Sequence, residues 1–128
     1  MPLPLNKRTQ EKKQHFVLLD RVKAFFHDQP EEVKHELDAI AWKLEHDGYL
    51  NYPYGEKLKG KELFVIRMQN RNVRVFYVYS QYDIVFGIHA YEKKTESIPD
   101  CEMKQAERML KLLKQQKVLY EKTPKRLD

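Results

Sequence analysis

The stretch LFVIRMQNRNVRVFYVYSQYDIVFGIHAYEKK, residues 63–94, decides the fold. It holds three runs rich in Val, Ile, Phe and Tyr, namely Leu63 to Met68, Val73 to Tyr79 and Ile84 to Tyr91, with polar breaks at 69–72 and 80–83. Branched and aromatic side chains suit a pleated sheet surface, and Asn, Ser, Gln and Asp suit turns, so the stretch predicts an antiparallel meander. Even-length loops would then fix the register. A first turn centred between Asn70 and Arg71 pairs Met68 with Val73 and sets Arg67 directly opposite Arg74. A second turn centred between Gln81 and Tyr82 pairs Tyr79 with Ile84 and sets Arg74 opposite His89. One face collects Phe64, Ile66, Met68, Val73, Val75, Tyr77, Tyr79, Ile84, Phe86, Ile88 and Ala90, and is expected to be the core. The other collects Arg67, Arg74, His89, Tyr91 and Lys93, with Phe76, Val78, Val85 and Gly87 between or beside them.

Like charges directly opposite on a sheet cost up to about 1 kcal/mol, so folding alone gives no reason to juxtapose two arginines. A phosphate between them does, because each guanidinium fork donates two parallel hydrogen bonds to its oxygens. The competing reading is the solvated face of a half-exposed sheet, where arginine is ordinary. An odd-length loop would send Arg67 and Arg74 to opposite faces and remove the argument.

A chain of 128 residues supports one core, so a single domain over 1–128 is expected. Lys and Arg outnumber Asp and Glu by 24 to 19, which gives a net charge of +5 and points to a polyanionic partner. The lone Cys101 excludes an internal disulfide and fits a reducing compartment. No run is long enough to span a bilayer and MPLPLNKRTQEKK has no apolar signal core, so a cytoplasmic protein without membrane contact is expected. His35 and His46 have no partner at ligand spacing, and no Gly-rich phosphate loop or serine nucleophile motif is present. No metal or cofactor is therefore expected.

Outward from the meander, Phe16, Leu19, Val22, Phe25 and Phe26 recur at helical spacing within His15 to His27, although His15 to Leu19 also reads as a short added strand. A second helix starts near Pro30, with Asp28 and Glu31 at capping-box-like spacing, buries Val33, Leu37, Ile40, Ala41 and Leu44, and closes at Gly48. Its polar face, Glu36 included, reads as solvated. Residues 49–62 read as a loop whose Tyr49 and Tyr52 cover the core edge, while Lys57, Lys59 and Lys61 are candidates for RNA-backbone contact, with Arg71 at the first turn. A last helix runs from Pro99 to Lys117 with Met103, Ala106, Leu110 and Leu113 on its buried stripe. Residues 1–13 and 118–128 read as flexible basic tails. The fold class is α+β, a small antiparallel meander with N-terminal helices and a C-terminal helix packed on it.

The strings VKAFFHDQPEEV, LKGKELFVIR, NVRVFYVY and IVFGIHAYEKKTESIPDCEMKQAERM, in that order, resemble the phage-derived Gp49-like branch of the RelE/HigB toxin superfamily over roughly residues 22–113. The most specific marks are LKG before the strand that ends in Arg67, the run Arg74-Val75-Phe76-Tyr77, and Lys93-Lys94-Thr95 followed by Pro99. Two departures stand out: the family usually has Glu where this chain has Val65, and it usually opens with a clear β-strand. The resemblance implies helices on one side of the sheet and the toxin role of a type II toxin–antitoxin pair. Such toxins cut messenger RNA on the ribosome. Their antitoxin, often a helix-turn-helix protein, masks the basic face and alone contacts operator DNA.

RNA is cut without metal when its own 2′-hydroxyl attacks the adjacent phosphate. On that reading Arg67 and Arg74 clamp the phosphate, Lys93 and Lys94 add charge or move a proton, His89 is the general acid or base, and Tyr91 stacks a base or donates a proton. The alternative is a non-catalytic protein of the same fold that binds RNA, the ribosome or an antitoxin.

Overall fold

The computed structural model describes residues 11–116. In chain order they form β1 (His15–Leu18), α1 (Asp20–His27), α2 (Glu31–Asp47), β2 (Gly55–Lys57), β3 (Phe64–Arg67), β4 (Val73–Tyr79), β5 (Ile84–Glu92) and α3 (Asp100–Gln115). β3, β4 and β5 are the predicted meander, extended by β2 antiparallel to β3 and by β1 parallel to β5, in the order β1-β5-β4-β3-β2. The α+β expectation holds.

The first turn has the predicted parity. The Met68 N–H donates to the Val73 carbonyl at 2.9 Å, and Arg67 pairs with Arg74. Arg71 and Asn72 adopt left-handed backbone at φ 57° and 49°, and Glu36 holds the tip by accepting the Gln69 and Asn70 N–H groups at 2.6 and 2.9 Å. Glu36 is thus a clasp between α2 and the hairpin rather than part of a solvated face.

The second turn departs from the expected register. Asp83 adopts φ 59° and adds a residue to the loop, so Tyr79 pairs with Val85. A one-residue slip moves every side chain to the opposite face. A bulge then follows, with Tyr77 opposite Gly87 and Phe76 opposite His89, which restores the phase for the rest of β5. Arg74 consequently faces Tyr91, not His89.

Because of the slip, Ile84, Phe86 and Ile88 leave the expected core face and join Leu63, Val65, Phe76, Val78 and Tyr91 on the second face, under Ala106, Leu110 and Leu113 of α3. The first face packs Ile66, Met68, Val73, Val75, Tyr77 and Val85 against Val22 and Phe26 of α1 and Val33, Leu37, Ile40 and Leu44 of α2. Helices therefore cover both faces, not one.

The apolar run from His15 divides. Phe16 and Leu18 are half-buried while His15 and Val17 are exposed, a strand period, and the helix begins only at Asp20. Glu45 secures this edge by accepting the Phe16 N–H at 2.9 Å through its carboxylate and the Lys13 N–H at 2.7 Å through its carbonyl. Lys12 pairs with the same carboxylate at 3.3 Å, so this end of the expected basic tail is anchored. Its remainder at 1–10, and all of 118–128, lie outside the described residues.

α2 closes on Gly48 at φ 87°, as its sequence predicts, but Pro30 occupies its N-cap without a side-chain cap bond, so the Asp28 capping expectation fails. No described helix is long and apolar enough to cross a membrane.

Candidate functional site

The second face is not covered to its end. Beyond the body of α3, the ends of β3 and β5, the start of β4 and the 93–98 connection enclose a cleft of ≈ 140 Å³. Glu56, Leu58, Val65, Arg67, Arg74, Tyr91, Lys93, Glu96 and Ile98 line it. Four of the residues that the sequence singled out therefore meet here: Arg67, Arg74, Tyr91 and Lys93.

Arg67 and Arg74 are cross-strand partners, and burial followed by the neighbouring Arg67 charge lowers the Arg74 guanidinium pKa from its usual value, against an opposing effect of Tyr91. Arg74 Nη1 makes only long contacts, 3.3 and 3.4 Å, to the Val73 and Met68 carbonyls. Arg67 Nη2 donates to Glu56 Oε1 at 2.5 Å. Its Nε is buried without a partner, as is the hydroxyl of Tyr91, a residue 6% exposed. A buried polar group left unpaired costs about 1–3 kcal/mol. An anion between the guanidiniums would relieve the repulsion between them.

Glu56 was not singled out by sequence. It sits opposite Val65 in the β2–β3 ladder, so its side chain reaches diagonally to Arg67. A carboxylate from the neighbouring strand thus stands beside Arg67, where Val65 on Arg67's own strand offers none. Nothing in YPYGEKLKG marks Glu56 until residues 55–57 are known to pair with β3.

Tyr91 stacks near Phe76 at 6.0 Å between ring centroids. Burial, the largest cause, pushes its phenol pKa up, Arg74 pulls it down and Glu102 pushes it up again, and the net shift is upward. The hydroxyl is therefore protonated at neutral pH and is a donor.

His89 is placed differently from the expectation. It is 6% exposed, does not line the cleft, and its Nε2 lies 2.7 Å from Glu102 Oε1 on α3. It ties α3 to the sheet and stands away from the cleft. Glu102→Ala should leave both His89 ring nitrogens buried and unpaired and cost about 1–3 kcal/mol in urea unfolding. An unchanged midpoint would contradict the anchoring role.

Lys93 lines both the cleft and an adjoining groove of ≈ 380 Å³ with Asn72, Lys94, Thr95 and Glu96, so Lys94 stands beside the cleft and not in it. Lys57 donates to the Lys61 carbonyl at 2.6 Å, Lys61 pairs with Glu107 at 2.6 Å, and Arg71 lies 3.6 Å from Glu92. Lys59 is exposed. None of these four lines the cleft. Among the described residues no group of three or more His, Cys, Asp or Glu is placed to hold a metal ion.

The family profile described as phage-derived protein Gp49-like (DUF891) matches residues 24–111. The chain belongs to the Gp49-like family. That match contains every residue lining the cleft and leaves β1 outside it. No curated protein matches the chain. The Gp49-like region thus extends from α1 through most of α3, with Arg67, Arg74 and Lys93 inside it.

Proposed function

We propose that this Gp49-like protein is the toxin of a type II toxin–antitoxin pair and acts in the cytoplasm as a ribosome-dependent messenger-RNA endonuclease that needs no metal. The observation that carries the reading is the Arg67–Arg74 pair, held across β3 and β4 in one cleft with an unpartnered phenol and a carboxylate. At ≈ 140 Å³ the cleft is far smaller than the ~300–1,000 Å³ of small-molecule pockets. It suits one phosphodiester with the bases left outside.

On this reading the chemistry divides among four side chains. Glu56 takes the proton of the RNA 2′-hydroxyl as the 2′-oxygen bonds to phosphorus. Arg67 and Arg74 hold the charge that builds on the non-bridging oxygens. The bond from phosphorus to the 5′-oxygen breaks, and that oxygen takes the Tyr91 hydroxyl proton. The products are a 2′,3′-cyclic phosphate and a 5′-hydroxyl end. Lys93 adds positive charge at the rim, and Lys94 extends it along the adjoining groove. A helix-turn-helix antitoxin would mask the same basic mouth and carry the operator-DNA contacts.

The test is cleavage of an end-labelled RNA on programmed ribosomes, with Glu56→Gln beside the wild type. Glutamine keeps an oxygen to accept from Arg67 but removes the base, so the rate should fall about 100- to 10,000-fold with RNA affinity little changed. A single 2′-deoxyribose at the cut site should block cleavage there. Full activity of Glu56→Gln would reduce Glu56 to a group that orients Arg67, and cleavage at the deoxyribose would exclude 2′-hydroxyl attack. RNA binding with no cleavage by the wild type would favour the non-catalytic alternative.

A further inference from the structure

Tyr49 and Tyr52 do not cover the core edge as their loop position suggested; they are 55% and 70% exposed. Tyr52 does not line the cleft itself but reaches Arg67, which does. The Arg67 guanidinium carbon lies 5.6 Å from its ring centroid, so the ring flanks the very group assigned to the phosphate. Its position is anchored by the backbone on both sides. The Gly55 N–H donates to the Asn51 carbonyl at 3.1 Å and closes the turn, and the Arg67 N–H donates to the Tyr54 carbonyl at 2.9 Å and ties the turn to β3. Gly55 permits this close seating, because a Cβ there would come within 2.5 Å of Leu50 Cβ and 2.7 Å of the Tyr77 hydroxyl.

An exposed aromatic ring has few uses in folding. Set beside the guanidinium assigned to phosphate, it meets the two surfaces a single-stranded nucleotide presents, a charged backbone and a π-face. The geometry points to Tyr52 as a nucleobase platform, on which a base within one nucleotide of the phosphate held by Arg67 and Arg74 stacks. This inference rests on the RNA reading above and adds a subsite to it. A ring stacks on any base, so the platform grips the strand without selecting sequence. Selectivity would have to arise elsewhere.

The experiment is fluorescence anisotropy of a fluorescein-labelled ten-nucleotide RNA at low salt, where weak electrostatic binding is readable. The proteins are the wild type, Tyr52→Ala, Tyr52→Phe and Arg67→Ala/Arg74→Ala. Tyr52→Ala should weaken binding about tenfold and Tyr52→Phe should restore it, because the ring and not the hydroxyl stacks. Placing one abasic ribose at successive positions should reproduce the loss at one position in the wild type, with no further loss there in Tyr52→Ala. Equal binding by the wild type and Tyr52→Ala, with binding still dependent on the arginines, would overturn the platform and leave the RNA reading intact. Binding indifferent to both arginines, or no binding by the wild type either to the free RNA or to the same RNA on a programmed ribosome, would count against the RNA reading and the platform together.

Discussion

Arg67→Ala/Arg74→Ala should abolish RNA cleavage while the protein stays folded. Each guanidinium is assigned to charge that develops on the phosphate only as the 2′-oxygen attacks, and loss of one such preorganised donor costs about 100- to 1,000-fold in rate. Each single variant should show a loss of that order. The double variant should fall to background, though not by the product of the two losses, because both arginines serve one phosphate. Stability should move in another way. Burial first, and then the Arg67 charge across the ladder, lower the Arg74 guanidinium pKa, so the cleft pays for their proximity. Removing Arg74 relieves the repulsion, and removing Arg67 leaves Glu56 with 37% of its side chain open to water. Urea unfolding of the double variant should therefore stay close to the wild type. Intact cleavage by a folded double variant would remove the clamp from the account.

Phe76→Ala should have the largest effect on folding. Phe76 is fully buried between Val65 and His89 in the ladder and packs in the cluster beneath α3. Truncating a buried phenylalanine costs about 3–5 kcal/mol, a large part of the roughly 5–15 kcal/mol by which a domain is stable. The substitution also opens a void under Tyr91, whose ring is 6.0 Å away, so residual folded protein should lose activity. A sheet with one solvated face would lose little at this position. A cost below about 1 kcal/mol would contradict two-sided burial.

Phe76 marks the limit of what the sequence discloses. The strands of the meander and the Arg67–Arg74 pairing were legible, because β-rich runs and an even first turn fix them locally. The far side of the sheet was not. One left-handed residue at Asp83 and a bulge opposite Phe76 and Tyr77 shift β5; Asp83 leaves no mark as plain as a glycine in the turn, and Gly87 is the one sequence sign beside the bulge. The shift sends Ile84, Phe86 and Ile88 under α3 and replaces His89 with Tyr91 opposite Arg74. His89 drew attention through its intrinsic pKa, yet it lies beneath Glu102. Glu56 drew none, since a three-residue edge strand has too little periodicity to be read, yet it holds Arg67.

The most direct test of the central claim is expression in bacteria under tight control, with messenger-RNA 5′ ends mapped within minutes of induction for the wild type and for Arg67→Ala/Arg74→Ala. The account predicts new codon-phased 5′-hydroxyl ends with the wild type alone. Intact messages in cells that contain soluble, folded wild-type protein and keep growing would contradict it.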